Sequence, residues 1–352
     1  MPLLQLPPEI LILVMNYVGS AYFRKDVRRL TVCKYWFVFA HASCFKHLRL
    51  SQAALLDLLF SQNAERGLLV VQTLVESLDL ELKGFENWNR LPAFLEYLLQ
   101  GVSAPDIAPS WDKPTGCALR AEWTVILNRN LTRFAAAINS SRKLRVLRIH
   151  AFSERHPLFP LLQRRNYLML PTVRDLLSVS NLRLLDLDLC GTTLTSTTET
   201  PNGEFHICAS IGTLLPTLKG LRLRMRSICA DVLKPLPHKT NLNLKEVLIN
   251  LSLFDRPPLT SPKSAHSARC GSTDGAFLTL KTEIKDQAKA LSALMAYPQK
   301  VRILTHKLPG FEIRSFDVMT GKSMVLPNNL TWGDDGKTVN EEDPDQDSEF
   351  EI

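Results

Sequence analysis

Five stretches of the chain share one alternation of apolar and polar positions. They are Val75–Leu82, Leu144–Ile149, Leu182–Cys190, Leu218–Leu223 and Leu244–Asn250. Each places leucine, valine or isoleucine at every second residue, the two-residue period of a half-buried strand. Successive starts from Leu144 onward lie 38, 36 and 26 residues apart. Helical patterns fall between them, over Trp123–Ile138, Pro171–Val179 and Glu204–Leu215. Strand, helix and strand in that order predict parallel pairing with right-handed crossovers.

The strands open with Leu-x-x-Leu-x-Leu, Val or Ile replacing some leucines, so the repeat resembles a leucine-rich-repeat solenoid. Its periods are longer and less regular than usual, and the asparagine of that repeat is missing. The expectation is a degenerate solenoid with a curved parallel sheet. The alternative is a doubly wound α/β domain, but no glycine-rich phosphate loop follows any strand. Residues 255–276 interrupt the pattern with Pro257, Pro258, Pro262 and a Ser/Gly-rich run, and predict a flexible insertion. A helix over 283–295 follows, then strands at 301–306, 312–318 and up to Leu326, around a turn at Thr320-Gly321. This end hairpin, about 301–326, would cap the open sheet edge. From Gly333 to Ile352 the chain is acidic and poor in apolar residues, which predicts a disordered tail.

The first fifty residues have a different pattern. Pro7 and Pro8 suit a helix start, where a missing N–H costs nothing, and Glu9 suits its positive end. Ile10, Leu11, Leu13, Val14, Tyr17 and Val18 make an apolar stripe wider than one partner face needs, and Gly19-Ser20 ends it. A second amphipathic segment is expected over Arg24–Val32 and a third over Lys34–Cys44. Helix Gln52–Phe60 comes next. Three short helices cannot hide this much apolar surface, and an exposed apolar patch marks a protein-binding face. Leu6-Pro7-Pro8-Glu9-Ile10 and Leu30-Thr31-Val32-Cys33-Lys34-Tyr35-Trp36 together resemble the F-box of fungal-type F-box proteins. His47-Leu48-Arg49-Leu50 matches the short strand that follows that motif. The connection from Gly19 to Lys25, holding Tyr22 and Phe23, is longer and more aromatic than the family pattern.

Charge changes this picture little. The net charge is +7, but residues 334–351 hold nine carboxylates and one lysine. The remainder carries 41 basic against 26 acidic residues. The basic residues are spread among aliphatics with no aromatic–basic stripe, so a solvated surface is expected and nucleic acid is not. No run of eighteen apolar residues exists, and Ile10–Met15 is short and lacks a basic lead. Neither a membrane span nor a signal peptide is expected.

The chemistry-bearing residues are sparse. The seven cysteines are odd in number and scattered, without a Cys-x-x-Cys pair. They suit buried thiols in a reducing compartment better than a disulfide framework. His206-x-Cys208 has no second pair near it in sequence, so no metal site is expected. Thr320-Gly321-Lys322-Ser323 has Phe316 where a phosphate loop needs glycine. Gly271-Ser272-Thr273-Asp274-Gly275 lacks the serine of a nucleophile elbow. No catalytic site and no cofactor is expected.

On the strands, the leucines face the core and the alternate residues face the other side. Aligning Leu78, Leu147, Leu185 and Leu221 puts Asp79, Arg148, Asp186 and Arg222 in one row. Glu81, His150, Asp188 and Arg224 form the next. The rows read either as cross-strand pairs that stabilise the sheet or as a charged recognition face.

The resulting fold class is α+β: an F-box at 1–50, a leucine-rich-repeat-like domain at 51–332 and a tail at 333–352. The F-box resemblance implies a non-catalytic intracellular protein, cytoplasmic or nuclear. It would dock on a Skp-family adaptor, and through it on a cullin scaffold, within an SCF-type ubiquitin ligase. The adaptor face carried over comprises Leu6, Pro7, Ile10, Val14, Leu30, Val32, Cys33 and Trp36. An unknown protein target would occupy the charged rows. The alternative is an F-box scaffold that binds the adaptor and delivers no ubiquitination target.

Overall fold

The N-terminal helices stop and start where backbone chemistry dictates. In this computed structural model, which describes residues 5–84, 113–152, 167–195, 206–236, 241–253, 266–271, 277–306, 312–327 and 331–339 (backbone alone for 113–120), Pro8 opens α1 (Pro8–Val18). Gly19, at φ 80°, ends it in a region that disfavours side chains. The expected single helix over Arg24–Val32 is corrected. Two short pieces stand there, α2 (Ser20–Lys25) and a 3-10 turn (Val27–Leu30). Asp26 separates them with an extended backbone, and its carboxylate accepts the Arg28 N–H at 3.0 Å. The aromatic connection is itself helical because Phe23 plugs the small core. Helix α3 (Lys34–Lys46) is capped by the Cys33 sulfur, which accepts the Trp36 N–H at 3.4 Å.

The chain then runs through β1 (His47–Ser51), α4 (Gln52–Phe60), α5 (Ala64–Leu74), β2 (Ser77–Leu82), α6 (Lys113–Asn139) and β3 (Val146–Ala151). Next come β4 (Leu168–Met169), α7 (Leu170–Leu177), β5 (Leu184–Leu189), β6 (Leu194–Thr195), α8 (Cys208–Leu214), β7 (Gly220–Met225) and β8 (Ser227–Ile228). A 3-10 turn (Ala230–Leu233), β9 (Glu246–Asn250), β10 (Ala268–Arg269), α9 (Phe277–Leu294) and β11 (Lys300–His306) follow. Strands β12 (Ile313–Asp317), β13 (Ser323–Leu326) and β14 (Lys337–Val339) close the described chain.

The protein is mixed α/β around one large, mostly parallel, open sheet. Its order is β1-β2-β3-β5-β7-β9-β11-β12-β13-β14. Strands β1 to β11 pair in parallel, and β12, β13 and β14 add as an antiparallel meander. The order never reverses, so the sheet lacks the switch point of a doubly wound domain. The registers are those the leucine alignment predicts: Leu78 faces Leu147, Leu147 faces Leu185, and Leu185 faces Leu221. These leucines join Leu55, Phe134, Ile138, Val173, Leu176, Ile211 and Ile284 from the helices in one continuous core. At about 1.5–3 kcal/mol per buried aliphatic or Phe side chain, this cluster dominates the stability of the chain. Strand β1 pairs with β2, so a boundary at residue 50 cuts the sheet's first strand from its neighbour.

Two expected irregular segments are corrected. Part of the insertion is ordered: β10 pairs with β8, and the buried Ser267 hydroxyl donates to Met225 O at 2.7 Å. The expected insertion's remaining residues, 255–265 and 272–276, lie outside the described residues. The tail does not begin at Gly333. Residues 331–339 run back along the sheet and pair as β14 with β13. Lys300 and Arg302 donate to the Gly333 carbonyl, and Arg302 also to Asp334 O at 2.6 Å. Acidic composition alone does not reveal that a short backbone stretch can serve as acceptor for a buried guanidinium. Residues 340–352 lie outside the described residues.

Candidate functional site

Three places gather functional side chains. The first is the N-terminal helical unit. Its own core is small: Met15, Phe23, Leu30, Ala40 and Cys44, with Trp36, Phe39 and Phe45 packed against them. Leu11 and Met15 are the buried residues of α1. Ile10, Leu13, Val14 and Tyr17, at the i, i+3, i+4 and i+7 positions of another face of that helix, are left half-buried or exposed. Ile10 is 43%, Leu13 62% and Tyr17 94% exposed. Val32 is 65% exposed at the start of α3, near Tyr35, Phe37 and Val38, which are exposed too.

This divides the expected adaptor residues. Pro7, Ile10, Val32 and Cys33 are exposed, and Leu6 and Val14 are half-buried. Leu30 is only 7% exposed and belongs to the small core. Trp36 is half-buried: its indole donates to Arg29 O at 2.6 Å and its ring meets Phe23 edge-on. Leu30 therefore serves the small core, and Trp36 packs against that core with part of its surface still exposed. The sequence could not separate the roles, because an apolar residue at a helix start satisfies either. Leu13 and Tyr17, part of the α1 stripe, and Val38 on α3 are exposed too, although the sequence-based adaptor face does not include them.

The second place is the polar face of the sheet. The predicted rows form: Asp79, Arg148, Asp186 and Arg222 lie in register, as do Glu81, His150, Asp188 and Arg224. Arg49 on β1 extends the first row and bonds Glu81. Arg148 bonds Asp79 at 2.8 Å, and Arg222 bonds Glu246 at 2.9 Å. Such half-exposed pairs contribute about 0.2–1 kcal/mol each. Asp188 and Arg224 differ. Their side chains are buried, the Arg224 Nε donates to Asp188 Oδ1 at 2.9 Å, and the Trp332 ring lies 5.1 Å from the guanidinium. As expected recognition residues these two are corrected, since segment 331–335 covers that end of the face. The open part holds Asp79, Glu81, Arg148, His150 and Asp186. Burial pushes the Asp186 carboxyl above the usual carboxylate range, while His150 and Arg222 pull it back.

The third place was not expected. His206, Cys208, Cys229 and Cys270 put one ligand atom each within 4.8 Å of all the others. His206 and Cys208 stand at the start of α8. Cys229 and Cys270 each follow a strand of the parallel β8–β10 pair, in matching positions. The Cys208 and Cys270 sulfurs are 3.7 Å apart, and Cys229 Sγ lies 3.9 Å from His206 Nδ1. Hydrogen bonds from Cys208 and Cys270 pull the Cys229 thiol down, against its burial. Hydrogen bonds with Cys229 and Cys270, with burial, push Cys208 up. Spacing argued against a metal site because the ligands come from three separate segments. The crossovers of the sheet bring those segments together.

Among the described residues no helix is long and apolar enough to cross a membrane. Compared with known proteins, the chain matches no family model, no curated protein and no solved structure.

Proposed function

We propose that the chain is the substrate-recognition subunit of an SCF-type cullin–RING ubiquitin ligase. Its N-terminal helices would be an F-box docked on a Skp-family adaptor. Its sheet and crossover helices would be a leucine-rich-repeat-like domain that holds a protein target. The observation that carries this reading is the apolar face of α1 and the α3 start. Ile10, Leu13, Tyr17 and Val32 stay exposed on a unit whose own core is already filled by Phe23, Leu30 and Trp36. That surface falls on the residues that resemble the F-box motif. Unbroken strand order from β1 to β11 supports the repeat reading, because each added strand lies beside the one before.

In this role the chain performs no chemistry of its own. It holds a target near a charged ubiquitin-conjugating enzyme and raises the effective concentration of the target's lysines. The open charged patch from Asp79 to Asp186 is the target face, and a partner there meets alternating signs rather than a single-sign field. Affinity purification of the full chain, with and without proteasome inhibition, tests the reading. Adaptor and cullin recovered together with a third protein that accumulates under inhibition would support it. Recovery of adaptor alone under both conditions would leave the scaffold reading, and recovery of neither would overturn both.

A further inference from the structure

We propose that His206, Cys208, Cys229 and Cys270 bind one structural Zn2+ ion, which pins the start of α8 to the β8–β10 pair. A tetrahedral zinc with Zn–S near 2.3 Å and Zn–N near 2.0–2.1 Å sets its sulfurs about 3.8 Å apart, and sulfur and nitrogen about 3.6 Å apart. The observed 3.7 Å between Cys208 and Cys270, and 3.9 Å between Cys229 and His206, fit those edges. All four ligand atoms lie within 4.8 Å of one another, so the set closes around a point rather than spreading along a surface. Three soft thiolates and an imidazole select zinc over magnesium or calcium, which take oxygen ligands. Four protein ligands leave no position for water, which marks a structural rather than a catalytic ion.

The surroundings agree. With Nδ1 turned to the thiols, the His206 Nε2 faces Asp231 Oδ2 at 4.0 Å. A carboxylate behind the far ring nitrogen is the usual support of a zinc-bound histidine. Asp231 is itself held by Lys234 at 2.7 Å. Ile207, Ile211, Ile228 and Val232, within three residues of these ligands in sequence, are buried. On the outer side His206 and Cys270 line a surface cleft, which gives the ion an access path. A Cys208–Cys270 disulfide would use only two of these four converging groups and leave Cys229 and His206 outside the bond. Geometrically the ion substitutes for core: α8 is only seven residues long. The chain before it, 196–205, lies outside the described residues.

The test uses the full chain, expressed with zinc and purified without chelator or nickel resin. Elemental analysis should find one zinc per chain. Cys208→Ser and Cys270→Ser should lower that more than tenfold, whereas Cys190→Ala, outside the cluster, should not. Exchange with Co2+ should give thiolate-to-cobalt charge transfer and the intense visible bands of a tetrahedral site. Should the serine variants fail to fold, native alkylation of the unaltered chain decides. Cys208, Cys229 and Cys270 should be protected until zinc is chelated, with exposed Cys33 reacting throughout. Zinc-free protein without the cobalt bands would overturn the proposal. So would zinc retained in a folded Cys208→Ser chain, or a Cys208–Cys270 disulfide in its place.

Discussion

Val32 and Trp36 stand four residues apart and do opposite work. Val32 points its side chain to solvent, while Trp36 ties the 3-10 turn to α3 through Arg29 O and Phe23. Trp36→Ala should therefore cost about 3 kcal/mol of the small unit's stability, from lost packing and a lost half-buried hydrogen bond. Val32→Asp should change stability by less than about 0.5 kcal/mol. Circular dichroism during urea unfolding of both variants checks this, and equal losses would contradict the division of roles. Arg224 belongs with Trp36 rather than with the recognition residues. Arg224→Ala leaves Asp188 charged and buried, at a cost of about 3–5 kcal/mol. Adding Asp188→Asn should restore part of that in the same assay. A double variant less stable than Arg224→Ala would show that the penalty is packing and not charge. His266 sets a pH dependence. Burial, with His306 stacked 4.0 Å away, holds its pKa at about 3. The unfolded chain takes up this proton near pH 6.5 and the native chain does not until about 3. Its stabilising contribution is therefore complete above about pH 6.5 and lost as pH falls toward 3, at about 1.4 kcal/mol per unit. Urea midpoints between pH 7.5 and 4.5 should fall less steeply for His266→Phe than for the unaltered chain. Parallel slopes would contradict the assignment.

Elements were legible in the sequence where a period ran long enough to be counted. The five Leu-x-Leu strands and their mutual register follow from a period of two, because a one-residue slip would turn every leucine to the polar side. The helix over 170–177 likewise follows its apolar spacing. What escaped was decided by contacts distant in sequence. Nothing local marks β8, β10 or β14, two or three residues each, because their pairing partners supply the order. Strand β14 and its approach carry a prediction of their own. Ending the chain at residue 330 removes the Trp332–Arg224 stacking and the acceptors of Lys300 and Arg302. That should cost about 2 kcal/mol. Ending it at residue 339 removes only the acidic, apolar-poor remainder and should cost almost nothing. Thermal unfolding of the two truncations decides, and identical melting would show that the 331–339 segment contributes no stability.

Across the whole molecule the two ends of the sheet differ in what they present. The β1 end carries the helical unit with its unpaid apolar surface, and the far end is closed by the meander and by segment 331–339. Between them lies the open charged patch. The candidate sites were legible in proportion to how local they are. The apolar stripe of the N-terminal helices is local and was legible as a stripe, but which of its residues fill the small core was not. The charged rows needed only the register. The Cys/His cluster needed the topology, since its ligands span residues 206–270. The proposed function depends above all on the exposed N-terminal apolar face binding a Skp-family adaptor. The most direct test is a calorimetric titration of the full chain with purified adaptor, alongside Val32→Asp. Tight one-to-one binding is expected for the unaltered chain. Placing a charge in that interface should weaken it at least tenfold, about 1.4 kcal/mol, with melting unchanged. Equal affinity of the two chains, or no binding by either, would contradict it.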